Sequence, residues 1–340
     1  MLCTHNGAGK LKPTLQHLAA LVRPAGLPVE LVLVNNASTD DTAALTTRVW
    51  DELKTPFILS IINEPRTGKG YAIETGYDAA QYAYIVTVDD DNWLREDYLI
   101  NALTLINTYP DVGIFQAGNE AIFEINPPAW VQQVAGNIAI GSPVKETGYF
   151  PKNNYGVWGA GMIVFKNDWM YLRSLGFAVL TSKVPGKAAG EDAELAIALL
   201  LLGRKIYYSD CLHYKHYMPA ARLNWKSIEK AFQTFGYTSY YIFLYAMVFE
   251  AFEKKYILAP FKLRAAFYKQ FLRQLKSRGV KNNINYIVKQ DVSLNRLILK
   301  QYYSTLYWFN KLSGKAMKDI HFIQSWMLPL LERNPNGFRM

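Results

Sequence analysis

The chain has 340 residues, half of them apolar and 19% charged; that excludes a disordered protein and allows one large domain or a domain with a substantial appendage. Its two cysteines, Cys3 and Cys211, form no CxxC pair, so neither a disulfide framework nor a zinc knuckle is expected, and a reducing cytosol fits. The net charge of +9 hides a split, with 18 Lys/Arg against 22 Asp/Glu in residues 1–225 and 19 against 6 in residues 226–340.

Such asymmetry points to two parts with different partners, divided near Trp225. Met1 leads into LCTHNG without a basic, apolar leader, and no apolar run reaches the ~18 residues of a membrane span. In chain order, Leu2–Thr4 reads as the end of a buried strand, short for its place. A turn follows at His5–Gly9, then a helix over about 13–22. Residues 29–36 (VELVLVNN) form a second strand, with small polar residues up to Asp40 that suit a helix cap near Asp41. Residues 57–63 (FILSIIN) give a third strand, and 68–80 a loop entering a helix. Neither NGAGK nor RTGKGY has the spacing of a phosphate-binding loop. Strands alternating with helices predict an α/β fold, a mostly parallel sheet with helices on both faces.

The most informative stretch is YIVTVDDDNWLRED, residues 84–97. A β-branched strand, Tyr84–Val88, runs into Asp89, Asp90 and Asp91, with a helix expected from about Arg95. Two like charges ~4 Å apart cost about 4 kcal/mol at an effective dielectric near 20. A hard divalent cation would offset that; a solvated turn capping the next helix is the plain alternative. Ligands of such sheets bind beyond the carboxyl ends of the strands. Thr4–Asn6, Asn35–Asp40 and Asp89–Asp91 all fall there and should line one rim. Further on, Glu191 and Asp192 open an apolar helix, where the macrodipole favours acids with or without chemistry.

LCTHNGAGKLKPTL, VLVNNASTDDT, NEPRTGKGYAIETGYDAA and VTVDDDNW, followed by WGAGMIVF, GEDAELAIAL and HYMPAARLNW, resemble in order and spacing the motifs of family 2 glycosyltransferases with the GT-A fold. The resemblance covers about residues 1–225. It implies that Thr4, Asn6, Asn35 and Asp40 hold the nucleotide base, although the family usually carries Asp where this chain has Asn35. It places Arg66 and Lys69 near the nucleotide, where solvated loop charges are the alternative. Asp89 and Asp91 match the DxD motif: the first lies toward the ribose with Asp90 beside it, and the last binds Mg2+ or Mn2+. His216 resembles a further metal ligand. Of the Glu191–Asp192 pair, Asp192 is implied to be the general base and Glu191 to assist placement. Gly159, Ala160 and Gly161 would let backbone approach the sugar, or else mark a bulge. Arg222 and Trp225 resemble the family's diphosphate-side positions; a surface Arg and a packed Trp are the alternatives.

From about residue 226 to 340 the pattern turns helical, basic and rich in aromatics. These helices either pack on the first part with solvated charges or also touch an anionic membrane surface, and both can hold. No nucleic-acid recognition motif accompanies the charge, so no nucleic acid is expected. The resemblance thus implies an inverting, metal-dependent transferase. It would move a sugar from a nucleotide-sugar donor (UDP, GDP or dTDP type) to a glycan or lipid-linked acceptor in cell-envelope synthesis. The expected location is cytoplasmic, peripheral on the inner face of the membrane. A nucleotide-sugar-binding scaffold without catalysis and a nucleotidyltransferase are the alternatives.

Overall fold

The computed structural model describes residues 1–184, 189–279, 283, 293–335 and 338. The sequence's opening alternation gives β1 (Leu2–Thr4), α1 (Leu11–Ala19), β2 (Glu30–Asn36), α2 (Thr42–Leu53), β3 (Ile58–Glu64), α3 (Lys69–Ala79) and β4 (Tyr84–Asp89). Their order is β3-β2-β1-β4, and every neighbour is parallel. Pro13 falls in the first turn of α1, where no backbone N–H is needed.

Beyond β4 the sheet becomes mixed. β6 (Val112–Phe123) and β8 (Met162–Phe165) run antiparallel to each other, β8 antiparallel to β4, and the 14-residue β9 (Lys205–Met218) parallel to β6. The sequence suggests a helix from about Arg95. Instead a short strand, β5 (Asn92–Leu94), comes first and pairs with β9, and α4 (Tyr98–Thr108) follows. β9 can serve several neighbours because its pairing with β6 jumps from Ser209 to His213. Its first half holds β7 (Gly148–Tyr149), and its second half holds β5. That second half sets His216 opposite Asn92, one residue past the Asp triplet.

Side-chain alternation sends Leu31 and Leu33 to one face of β2 and Val32 and Val34 to the other. The first pair packs under α1, α2 and α4 with Leu15, Trp50 and Tyr98. The second belongs to a larger core with Ile73, Trp169 and the apolar face of α7 (Glu191–Leu201). Between β8 and α7 lies α6 (Lys166–Ser174), and a one-turn helix, α5 (Val131–Val134), precedes β7.

The same large core takes in the C-terminal helices. These are α8 (Trp225–Glu253), α9 (Pro260–Arg278), α10 (Leu294–Lys311) and α11 (Ala316–Arg333). Tyr240, Tyr245, Phe309 and Trp326 are all buried in it. α8 begins at Trp225, and one core runs across that point from the sheet into the C-terminal helices. Among the described residues no helix is long and apolar enough to cross a membrane.

Candidate active site

The rim is built from strand ends, as the alternation requires. At the end of β1, the backbone N–H of Asn6 donates to Ser38 Oγ (2.9 Å), and the Asn6 side chain accepts from the Thr39 N–H (2.8 Å). Asp40 caps the turn by accepting from the Ala8 and Thr42 N–H groups. The Asn35 Nδ2 donates to Asn63 Oδ1 across the parallel pair (2.9 Å), while its Oδ1 is buried with no partner. The amide is thus held in one orientation, with its oxygen turned away from solvent. Arg66 turns to Glu64 in a two-point pair (2.8 and 2.7 Å) and lies over the Tyr71 ring.

The three aspartates do different work. Asp90 is buried and turned inward: Thr4 Oγ1 donates to it at 2.6 Å and Lys10 Nζ pairs with it at 2.9 Å, which fastens β1 and α1 to the end of β4. Burial pushes its carboxyl up. Asp89 faces Lys69 Nζ at 2.8 Å. Burial opposes its ionisation, but the ammonium outweighs that and holds the carboxyl below its usual range. Asp91 is 2.8 Å from Arg222 Nη1, with His216 Nε2 at 3.9 Å.

Lys69 is the joint of the site. Its Nζ reaches Asp89 and also Glu191 Oε1, at 3.1 Å. Burial disfavours the ammonium, yet the carboxylates win and hold its pKa well above the ordinary lysine value. One amine therefore ties the end of β4 to the start of α7, about a hundred residues later. Asp192, next along, accepts from the Gly159 N–H at 3.1 Å and the Ala193 N–H at 2.8 Å. Burial, reinforced by the neighbouring Glu191 carboxylate, pushes the Asp192 carboxyl up to about 7. Glu191 Oε2 is buried without a partner. A carboxylate that titrates near neutrality and keeps part of its surface open is poised to take a proton.

Gly159, Ala160 and Gly161 lie where β8 begins, against this pair. A Cβ on Gly159 would sit 3.7 Å from the Asp192 Cβ. Gly161 has a φ of +63° and no room for a Cβ, which would come 2.9 Å from Ala117 and Tyr214. Only glycine meets both conditions at low cost. Arg222 stands beside Asp91, half exposed. Trp225 instead packs edge-on against Trp130 (5.7 Å) in a small cluster with Val134, Ile228, Phe232 and Leu297. His213 and His216, three apart on a strand, point to opposite faces and form no shared site.

Sequence reasoning did not single out the groups that hold α7. Glu194 is fully buried and accepts from the Leu180 N–H, the Thr181 N–H and hydroxyl, and Tyr245 OH on α8 (2.7 Å). Gly190, with a φ of +103°, opens α7 where a Cβ would strike Thr238 of α8 at 2.4 Å. The one available signal was an acid, Glu194, on the apolar side of the helix.

A rim of strand ends joined through one lysine to an acidic helix start lies along one edge of a mixed α/β sheet of the GT-A kind. The model of glycosyl transferase family 2 matches residues 1–175, just over half of the chain, and the chain belongs to that family. Among solved structures it resembles S. aureus TarS 1–349, with a TM-score of 0.51 at 14% identity over 99% of this chain and 91% of that one. The same fragment in complex with UDP-GlcNAc gives 0.52 at 14% identity, over 99% and 92%. No curated protein matches the chain. At this identity the likeness is one of fold.

Proposed function

We propose that the protein is an inverting, metal-dependent glycosyltransferase. It moves a sugar from a nucleotide-sugar donor of UDP, GDP or dTDP type to a hydroxyl of a glycan or lipid-linked acceptor in cell-envelope synthesis. It would work in the cytoplasm, at the inner face of the membrane. The observation that carries this reading is the Lys69 bridge, because one ammonium joins Asp89 at the end of β4 to Glu191, next to Asp192, at the start of α7. The TarS fragment solved with UDP-GlcNAc supports a nucleotide-sugar donor.

Asp192 takes the proton of the acceptor hydroxyl. Its raised pKa lets it hold that proton near neutrality, and the Gly159 N–H aims its Oδ2. With a single base and no second carboxylate as nucleophile, the sugar inverts. Glu191, fixed by Lys69, positions the acceptor and keeps the base's affinity for protons high. Asn35, with Thr4, Asn6 and Asp40 at the neighbouring strand ends, would line the nucleotide-base side of the rim.

Asp91 and His216 are the residues that would hold Mg2+ or Mn2+. The described residues contain no cluster of three protein ligands, so phosphate and water oxygens would complete the shell. Carboxylate and imidazole face each other, 3.9 Å apart, but the Arg222 guanidinium lies against both, so an ion would enter only as Arg222 turns away toward the diphosphate. An oxygen–nitrogen donor set suits Mn2+ better than Mg2+, which prefers oxygen alone. When bound, the ion would act as a Lewis acid toward the departing diphosphate. Arg222 would add its own charge to that diphosphate.

Thermal-shift measurements with UDP-, GDP- and dTDP-sugars, with and without Mn2+, identify the donor. With that donor, Asp192→Asn should lower turnover by about 10²–10⁴-fold while the donor-induced shift persists. Asp91→Ala should abolish the Mn2+-dependent part of the shift. Near-normal turnover in Asp192→Asn would remove the base from this scheme.

A further inference from the structure

The outward face of α9 has an unusual composition for a helix on a protein surface. No acidic residue occurs between Glu253 and Asp291. Leu263, Phe267 and Phe271 turn inward, and Phe267 stacks on Phe309 of α10 with ring centres 3.7 Å apart. On the opposite side Phe261 is 68% exposed, Leu272 63% and Tyr268 42%, and Ile257, just ahead of the helix, is 87% exposed. Positions 261, 265, 268 and 272 follow the i, i+4, i+7, i+11 spacing that makes one stripe. At 3.6 residues per turn, Lys262, Lys269, Arg273 and Lys276 run along one side of that stripe and Arg264 along the other. Lys262 rests over the Tyr256 ring (4.6 Å). Among the described residues, Arg264, Lys269, Arg273 and Lys276 take part in no ion pair.

Two kinds of occupant could cover such a stripe. A protein partner is poorly matched, because lysines are depleted in protein interfaces and this face would require acids in return. A lipid surface meets both demands at once. Large apolar and aromatic side chains enter the boundary of headgroups and acyl chains, while lysines and arginines meet anionic headgroups.

We propose that the outward face of α9, together with Ile257, is the docking surface through which the protein lies on an anionic lipid bilayer. The proposal rests on the reading that the protein works at a membrane, and it is independent of the transfer chemistry. The test is flotation of the full chain with vesicles of phosphatidylcholine alone or mixed with phosphatidylserine, at low and high salt. Two variants accompany it: Phe261→Ser with Leu272→Ser, and Lys269→Glu with Arg273→Glu. All four positions are exposed, so both variants should melt like the parent and turn over a soluble acceptor at its rate.

The parent should float with the anionic vesicles at low salt and be released at high salt. Each double variant should lose about tenfold or more of that binding. Equal flotation of parent and both variants overturns the α9 assignment and leaves a membrane role elsewhere on the protein. No flotation of the parent overturns the membrane reading as well. Equal binding to neutral and anionic vesicles overturns the charge argument. Self-association of the parent that the variants abolish, without flotation, gives the stripe to a second copy and overturns the proposal.

Discussion

The sheet-bearing part and the helical part are held by different physics. Around the rim, order depends on charge: Lys10 with Asp90, Lys69 with Asp89 and Glu191, Arg222 with Asp91. In the C-terminal helices it depends on rings. Phe267 and Phe309 stack face to face, and Tyr237, Tyr240, Tyr241 and Trp326 meet their neighbours edge-on. Buried ion pairs cost desolvation and are a weak source of stability; the rim carries several of them, whereas the helical part has one such group with every partner largely buried, Glu229 with Arg296 and Lys300, among the described residues. Aromatic burial is the cheaper way to hold a scaffold, and the C-terminal helices use it. The two meet at α7, whose first turn carries the acids and whose Glu194 is bound to Tyr245.

That contrast can be broken at three points. The largest effect should come from Lys69→Met, which strands Asp89 and Glu191 as unpaired carboxylates. Removing one partner of a buried pair costs roughly 3–5 kcal/mol, less here because the amine keeps some exposure. Urea denaturation should show that loss, and transfer activity should disappear with it. Next is Phe309→Ala, expected to cost about 3 kcal/mol by emptying an aromatic site. Turnover per folded molecule should change little, and equal loss of turnover and stability would show that the two parts are not separable. The smallest effect is a shift in pH. The raised Asp192 pKa places the acidic limb of kcat/KM near 7, with activity rising as pH increases through it. Glu191→Gln removes the like charge and should move that limb to lower pH.

Stability should run the other way at the same residue. The folded-state pKa of Asp192 is above its ordinary value, so its favourable contribution is complete at low pH and is lost as pH climbs toward 7. Asp192→Asn should therefore gain melting temperature over the parent across that window.

The first four strands were legible because apolar runs of strand length ended in polar turns, and the acids at Asp89–Asp91 and Glu191–Asp192 stood out against them. Three things were not. β5 was hidden because three residues, Asn92–Leu94, carry no period of their own; the bulged second half of β9 makes them a strand. The separate duties of the aspartates could not be read from adjacency, because Thr4, Lys10 and Lys69 reach them from other elements. The helical part showed itself only as composition. Which side of α9 faces inward depends on Phe309, some forty residues on.

One dimension of α8 sets the distance between the rim and the outer helices. Thr238 presses on Gly190 beside Glu191 and Asp192, and the helix continues unbroken to Glu253, shortly before α9. Fifteen residues at 1.5 Å each make that stretch about 22 Å long. That stretch of α8 separates the first turn of α7 from the loop that leads into α9. A substitution on the exposed face of α9 therefore lies about four helical turns of α8 away from Glu191 and Asp192, and a change there should reach the rim only through that helix.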